Sequence, residues 1–185
     1  MKGYIVLETG RSLKEACMVP SRKFMEKLSF FTGVTGYQEV LSDPSFKGQM
    51  VVFTYPLLGN YGINENDFES LQAQASALIV SEVNETGYHY EASMSLTDCC
   101  LQMNLPLVTD VDTRAIVKRI REHGDMRAVL TTKPEQVDFA NARSLAVEDV
   151  VPKVSTKDIL QFGSGDSHIV MVDFGYKKNR SSSIY

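Results

Sequence analysis

The sequence predicts a mixed α/β (α+β) fold, in which helices flank a mixed sheet. Short runs of apolar or β-branched residues, bounded by polar or turn residues, are typical of buried strands. Such runs stand at 4–7, 49–55, 77–80, 128–130 and 169–172. Segments with helical periodicity alternate with them, which argues against an all-β sandwich or a helix bundle.

The clearest helical signal begins near Asp112, a residue type favoured at helix N-caps, and stops at Gly124, a type favoured just after a helix end. Between these two residues a buried face is predicted by the spacing i, i+3, i+4, i+7 of Thr113, Ile116, Val117 and Ile120. We therefore expect an amphipathic helix that packs this face on the sheet.

Two further segments favour helices. One starts near Thr132, where Glu135 stands three residues on as a capping-box partner and Pro134 is tolerated in the first turn. The other carries Cys99 and Cys100 among Met and Leu residues, which is typical of a helix packed on a core.

Composition narrows the possible functions. The chain has 185 residues, 43% of them hydrophobic, which is enough for one core but not for two full domains. The formal charge is −4 and no Lys/Arg-dense run is interleaved with aromatics, so we expect no nucleic-acid partner. The apolar run at 4–7 is too short for a signal peptide or a bilayer span, so we expect a cytoplasmic protein that contacts no membrane.

The cysteines and histidines give no catalytic or metal pattern. Cys17, Cys99 and Cys100 are odd in number and two are neighbours, so reduced, buried thiols are the simplest interpretation. The histidines lack metal-ligand spacing with cysteines or carboxylates, and no metal site is predicted. His89 and Glu91 are expected in an exposed loop or helix start.

The stretch 30–70 is dense in turn residues and surrounds one well-formed strand. Its glycines and prolines supply points of positive φ or fixed φ: Gly33, Gly36, Gly48, Gly59, Gly62, Pro44 and Pro56. Loops of this kind, held on a scaffold, often carry binding residues.

Several segments resemble the N-terminal domain of the carbamoyl-phosphate synthase small chain. They are TGYQEVLSDPSFKGQ, FTYPLLGNYG and NDFES within 30–70, VTDVDTRAIVKRIREHG at 108–124, and IVMVDFGYKKN at 169–179. The resemblance implies that fold and a partner, the large synthetase chain, for which the domain is an attachment surface. It also implies that glutamine is the substrate of the complete small chain, and that ATP binds the large chain, so no cofactor is expected here.

The resemblance also implies a domain layout. Residues 1–150 correspond to the small-chain N-terminal domain, 151–167 read as a polar linker, and 168–185 correspond to the start of a glutamine amidotransferase domain. The likeness ends after Asn179, so we expect a truncated or frame-shifted chain. A strand at 169–172 would lack neighbours, and residues beyond about Gly165 should be mobile or dock on the first domain.

Ser45 is the one residue that the resemblance implies as a ligand contact. In the family, the Ser of the Asp43, Pro44, Ser45 triplet approaches glutamine bound on the adjoining amidotransferase domain. The alternative is an ordinary turn in which Asp43 and Ser45 cap the local backbone. No cysteine has the tight-elbow setting of an amidotransferase nucleophile, so no catalytic residue is assigned.

The best candidates for a partner interface are aromatic and amide residues of the turn-rich stretch: Tyr37, Gln38, Glu39, Tyr55, Pro56, Asn60, Tyr61 and Asn64. Amphipathic aromatics suit interface cores, but tyrosines also pack turns with their hydroxyls at the surface. The residues alone leave both interpretations open, and the resemblance favours the interface.

Residues 11–27 depart from the family pattern, and Phe31 stands where the family tends to have Asn. We expect the first hairpin to be misfolded or rebuilt, which would expose Phe24, Met25 and Leu28 and favour aggregation.

The leading hypothesis is therefore a catalytically incomplete docking module of the glutamine-hydrolysing synthase, serving either arginine or pyrimidine synthesis. The alternative is an independent small α/β protein-binding module without a synthetase partner. A third possibility, an enzyme built on Ser45 and Asp43, lacks a His base nearby in sequence.

Overall fold

The computed structural model describes residues 2–10, 12–18, 24–140, 149–161, 163 and 169–177. In chain order the elements are β1 (Lys2–Leu7), β2 (Ser12–Met18), β3 (Phe24–Phe31), α1 (Tyr37–Ser42), β4 (Gln49–Phe53), β5 (Leu57–Leu58), β6 (Ala77–Ile79), β7 (Glu82–Val83), α2 (Leu96–Gln102), β8 (Leu107–Thr109), α3 (Thr113–His123), β9 (Met126–Thr131) and α4 (Val151–Val154), with 3₁₀ turns at Pro44–Phe46 and Pro134–Gln136. The predicted mixed sheet with flanking helices is confirmed.

Within these ranges, seven strands close into a barrel in the order β1, β2, β8, β6, β4, β3, β9. The pairs β8/β6, β6/β4 and β4/β3 are parallel, and the remaining pairs are antiparallel. Pairing of β9 with β1 joins Tyr4 to Thr131 and closes the ring. A separate two-stranded parallel sheet is formed by β5 and β7.

The inside of the barrel is an apolar core. Side chains alternate between the two faces of a strand, so every second residue of β1, β4, β6 and β9 points inward. Helix α3 completes this core with Ile116, Val117 and Ile120. The barrel core includes Ile5, Leu7, Leu28, Met50, Val52, Ala77, Ile79, Val108, Met126, Ala128 and Leu130.

A second core lies on the outer face of the parallel strands. Val51, Phe53 and Leu78 point away from the barrel interior and are buried against α1, α2 and the loops between them. We call this part the outer layer; its core also includes Tyr37, Val40, Leu41, Leu58, Ile63, Leu96, Cys99, Cys100 and Leu107. Because β4 and β6 are covered on both faces, their sequences are apolar at nearly every position.

Most of the predicted elements are confirmed. The strands expected at 4–7, 49–55, 77–80 and 128–130 correspond to β1, β4, β6 and β9. The helix expected after Asp112 is α3: Asp112 Oδ1 accepts a hydrogen bond from Ala115 N at 2.9 Å, and Gly124 follows the helix with φ +78°. Cys99 and Cys100 are buried on α2, as predicted.

Two element predictions are wrong. Instead of a helix from Thr132 there is only the 3₁₀ turn Pro134–Gln136, because the Thr131 hydroxyl accepts from Lys133 N at 3.0 Å and no side chain caps the turn. The β-branched run at 169–172 forms no strand, and Ile169 and Val170 are 82% and 88% exposed. No strand of the described residues pairs with this run, so its β-propensity is not realised.

The expected misfolding of the first hairpin, with exposure of Leu28, is also wrong. β2 and β3 are both strands of the barrel, and Leu28 is 1% exposed instead of protruding. Met25 is half-buried, and the side chain of Phe24 lies outside the described part. Phe31 packs edge-to-face on Phe53, with ring centroids 5.8 Å apart.

In the described ranges no helix is long and apolar enough to cross a membrane.

Candidate functional site

The start of α1 is held by two stacked tyrosines. The rings of Tyr37 and Tyr61 lie 4.1 Å apart and 17° from parallel. The Tyr37 hydroxyl donates to the Gly62 carbonyl oxygen at 2.6 Å. Burial raises the pKa of both tyrosines above the usual range, so both hydroxyls stay protonated at neutral pH.

The Tyr61 hydroxyl also caps α1. The residue before the helix is Gly36, whose φ of +86° suits glycine and which has no side chain to cap the helix. The Tyr61 oxygen accepts from Gly36 N at 2.7 Å and from Tyr37 N at 3.1 Å, which satisfies N–H groups that a helix start leaves unpaired. A residue 24 positions away thus fixes the start of this helix.

Gln38 and Asn64 join α1 to the following loop. Asn64 N donates to Gln38 Oε1 at 3.0 Å, and Gln38 Nε2 donates to the Asn64 carbonyl oxygen. The Asn64 side chain is engaged as well: its Nδ2 donates to Asp67 Oδ2 at 2.6 Å. Both residues are buried, so their polar groups serve internal contacts.

Glu39 is the charged member of this region. Burial raises the pKa of its carboxyl group, and the nearby charges of Asp67 and Glu69 act in the same direction. Its Oε2 atom has no hydrogen-bond partner among the described residues. Its position in the first turn of α1 is favourable for a negative charge, which offsets part of this cost.

The remaining candidates lie on the loop after β4. Pro56 is exposed, whereas Tyr55, Asn60 and Tyr61 are half-buried. Asn60 Nδ2 donates to the Leu57 carbonyl oxygen at 3.2 Å, and the Asn60 carbonyl oxygen accepts from Tyr88 N at 2.9 Å. Asn60 therefore holds this loop in place through both its side chain and its backbone.

The structure brings Tyr37, Gln38, Glu39, Tyr61 and Asn64 together in one place. Because Tyr37, Gln38 and Asn64 are buried, they support this surface from below, and the parts open to another molecule are on the half-buried Glu39 and Tyr61. The interface role of the whole set stays a prediction.

The turn around Pro44 is ordered by its own side chains. Asp43 Oδ1 accepts from Ser45 N at 2.8 Å and from Ser45 Oγ at 2.7 Å, and Pro44 stands in the first position of the 3₁₀ turn. The local capping that was the alternative interpretation of this triplet is therefore present. Ser45 is nevertheless exposed and has spare lone pairs.

The segment near 175 lies against this turn. Lys177 forms an ion pair with Asp43 Oδ2, so the Asp43 carboxylate is held from both sides. A Cβ placed on Gly175 would lie 3.2 Å from Pro44 Cβ and 3.3 Å from Val154 Cγ2, so three parts of the chain meet closely here. These contacts place 175–177 against the turn around Pro44, whereas the division of the chain into two domains and a linker stays a prediction.

The thiols on α2 are poorly suited to nucleophilic chemistry. Cys99 and Cys100 are each 2% exposed, and burial raises the pKa of both. Cys99 Sγ is 3.9 Å from Met103 Sδ. His89 and Glu91 stand in an exposed loop, as expected, and no group of three or more His, Cys, Asp or Glu side chains in the described ranges could hold a metal ion. Cys17 belongs to β2, but its side chain is not among those that the structure describes.

Sequence reasoning missed the two most exposed aromatics of the described residues. Tyr88 and Tyr90 are 75% and 88% exposed. They follow Gly87 in a loop between β7 and α2, and the His89 ring lies 4.5 Å from that of Tyr90. The spacing of tyrosines around a histidine after a glycine was the only signal available, and it is too common to interpret alone.

Comparison with known proteins identifies relatives along the whole chain. The family model described as carbamoyl-phosphate synthase small chain, CPSase domain, matches residues 5–130. The arginine-specific carbamoyl phosphate synthase small chain of Halalkalibacterium halodurans is 53% identical over 184 residues, and that of Bacillus subtilis is 48% identical over 184 residues. The corresponding protein of Geobacillus stearothermophilus is 46% identical over 187 residues.

These alignments cover 100% of this chain and 51% of each of the three relatives. The chain thus spans about half the length of the curated relatives it matches. The alignments also include residues 11–27, where the sequence had been interpreted as departing from the family.

Proposed function

Because this chain belongs to the carbamoyl-phosphate synthase small-chain family, we propose that it is the N-terminal part of the glutaminase subunit and docks on the large synthetase chain. The observation that carries the proposal is the match of the family model to residues 5–130, which includes nearly all of the barrel and its outer layer. In the complete enzyme the small chain releases ammonia from glutamine, and the large chain uses it with bicarbonate and ATP to form carbamoyl phosphate.

The architecture supports a docking role. In the outer layer, backbone groups are fixed by side chains, such as the buried Gln38–Asn64 pair and the half-buried Tyr61 that caps α1. A surface that is already ordered loses little conformational entropy when a partner binds. Tyr55, Asn60 and Tyr61 keep part of their surface open and belong to the proposed interface together with Tyr37, Gln38, Glu39 and Asn64.

We further propose that Ser45 contacts glutamine when the amidotransferase domain is present. The Ser45 hydroxyl donates its proton to Asp43 Oδ1 at 2.7 Å, so it can act toward a ligand only as an acceptor. It would therefore accept from an N–H group of glutamine. Ser45→Ala, introduced into a small chain that carries an amidotransferase domain, should raise KM for glutamine with little change in kcat; an unchanged KM would contradict the contact.

The names of the three relatives support arginine synthesis as the pathway served. All three are described as arginine-specific small chains. We therefore propose the arginine branch over the pyrimidine branch. Restoration of growth without arginine, in a strain that lacks its arginine-specific small chain, would test this with the complete protein.

Two measurements on the purified chain test the proposal. Binding to a purified carbamoyl-phosphate synthase large chain, measured by calorimetry or co-elution, is expected. Ammonia release from glutamine is not expected, because the thiols on α2 are buried and protonated. Absence of binding at every ionic strength would instead favour an independent binding module, and measurable glutaminase activity would contradict the assignment as a scaffold.

A further inference from the structure

Charge is strongly segregated along the chain. Between Lys47 and Arg114 there is no Lys or Arg at all. The same stretch contains nine carboxylates: Glu65, Asp67, Glu69, Glu82, Glu85, Glu91, Asp98, Asp110 and Asp112. This stretch forms most of the outer layer, so that side of the molecule is far more negative than the overall charge of −4 suggests.

Three of the exposed acids, Glu82, Glu85 and Glu91, lie in one ordered segment. β7 pairs with β5, Asn84 N donates to the Leu58 carbonyl oxygen at 2.6 Å, and Tyr88 N donates to the Asn60 carbonyl oxygen. The two loops also approach closely, because a Cβ on Gly87 would lie 2.6 Å from Gly62 Cα. The loop that carries the acids is thus fixed on the loop that carries the proposed interface.

Two exposed aromatics stand among the acids. Tyr88 and Tyr90 are flanked in sequence by Glu85 and Glu91, and Glu82 stands at the exposed edge of β7. None of the ion pairs found among the described residues involves Glu82, Glu85 or Glu91. Large aromatics left this open on an ordered loop are typical of residues that bury their rings against a partner.

We propose that these five residues, the acidic aromatic surface (Glu82, Glu85, Tyr88, Tyr90 and Glu91), dock on a Lys- and Arg-rich surface of the large synthetase chain. The proposal deepens the proposed function, on which it rests, by naming the residues and the chemistry of the partner. The tyrosines supply the buried contact area, and the carboxylates steer the encounter and fix its orientation.

The partner should be a different chain and not a second copy of this one. The chain does have a basic face on α3, formed by Arg114, Lys118 and Arg121, and it could in principle meet the acidic aromatic surface of another copy. Such a head-to-tail contact joins two different faces, so unless its rotation closes a ring it grows into an open assembly with one of each face unpaired at the ends. A separate cationic partner satisfies the acids without that consequence.

The test compares two double charge reversals in the full chain. Glu82→Lys with Glu85→Lys should raise Kd for the purified large chain at least about tenfold at low salt. The difference from wild type should shrink as ionic strength rises, because screening shortens electrostatic reach to about 10 Å at 0.1 M salt. The matched control, Glu122→Lys with Glu135→Lys, makes the same charge change on exposed residues elsewhere and should bind like wild type.

Two more variants separate charge from contact. Tyr88→Ala with Tyr90→Ala should weaken binding about tenfold or more without altering its salt dependence. Glu82→Gln with Glu85→Gln should fall between wild type and the charge reversal. All substituted residues are exposed, so an unchanged circular dichroism spectrum and Tm are expected for each variant.

The outcomes distinguish the two proposals. If wild type binds, and the Glu82→Lys, Glu85→Lys variant binds as tightly as the Glu122→Lys, Glu135→Lys control, the proposed role of the acidic aromatic surface is wrong. The proposed docking function then stands. If wild type does not bind the large chain at any salt concentration, both fail. If the chain associates with itself and the acidic reversal abolishes that association, the occupant is a second copy and the proposal is overturned.

Discussion

The two faces of β4 and β6 are buried by different means. Inside the barrel, the contacts are between apolar side chains of the strands and α3. Outside, the same strands are covered by a layer that contains most of the buried polar side chains of the described residues: Gln38, Ser42, Asp43, Asn64, Glu69 and Gln74, whereas Thr113 lies on α3. One sheet thus separates an apolar barrel core from an outer layer that combines a second apolar core with buried, hydrogen-bonded side chains.

The difference shows how each region is specified. An apolar core tolerates exchange of similar residues as long as volume is conserved. The outer layer tolerates fewer exchanges, because its polar side chains must keep their hydrogen-bond partners. The single hydroxyl of Ser42, for example, donates to the Gln38 carbonyl oxygen at 2.9 Å and accepts from Glu69 N at 2.9 Å. Removing one partner from such a network leaves another buried group unpaired.

The barrel core should give the largest effect. Ile116→Ala removes a fully buried side chain from the contact of α3 with the barrel, and we expect a loss of about 2–5 kcal/mol in the free energy of unfolding. Urea unfolding measures this loss. Lys118→Ala on the exposed face of α3 is the control and should change stability by no more than about 0.5 kcal/mol. Equal effects would mean that α3 is not part of the barrel core.

An apolar replacement of similar size sharpens the contrast. Gln38→Leu keeps most of the volume but leaves Asn64 N–H and C=O buried without partners, which should cost about 1–3 kcal/mol. Gln102→Leu, at an exposed position of α2, is the matched control and should be nearly neutral. A stabilised Gln38→Leu variant would show that the outer layer behaves like the barrel core.

The cap on α1 predicts a smaller loss. Tyr61→Phe retains the ring stacked on Tyr37 but removes the oxygen that accepts from Gly36 N and Tyr37 N, so stability should fall by about 0.5–2 kcal/mol. Tyr90→Phe makes the same change at an exposed ring and should have no measurable effect. Indistinguishable thermal unfolding of the two variants would rule out the capping role.

Glu39 predicts the smallest effect, with the opposite sign. Because burial raises the pKa of its carboxyl group in the folded state, ionised Glu39 destabilises the outer layer above that pKa, and this cost disappears as pH falls toward about 4.5. Glu39→Gln should raise Tm by about 1–2 °C at neutral pH. The gain should vanish in mild acid, whereas exposed Glu135→Gln should show neither change. A lower Tm for Glu39→Gln at neutral pH would reverse the assignment.

The parts of the fold that could be predicted are those fixed by local sequence. The sequence of α3 contains both its N-cap, Asp112, and the apolar side chains of its buried face. The strands β4 and β6 are apolar because both of their faces are covered. β2 was missed because SLKEACM has no apolar run, and its strand state depends on backbone pairing with β1 and β8. The same dependence explains the error at 169–172, where residues of high β-propensity pair with no strand in the described part of the chain.

The candidate site followed a similar rule. The residue types of Tyr37, Gln38 and Asn64 indicated a binding surface, but whether a polar residue points outward or is enclosed depends on contacts about 25 positions away in the chain. For Asp43 and Ser45, whose contacts are local, capping of the turn could be predicted from the sequence, and the structure contains the capping hydrogen bond from Ser45 N to Asp43 Oδ1. Distant pairing is therefore what single-sequence reasoning failed to supply.

Closure of the barrel also has a consequence for how the molecule is made. The seam between Tyr4 and Thr131 joins β1 to a strand that leaves the ribosome well over a hundred residues after it. Until β9 has been synthesised, β1 can pair only with β2, and the barrel stays open. Such a high contact order predicts refolding in milliseconds to seconds, not microseconds, in a stopped-flow experiment.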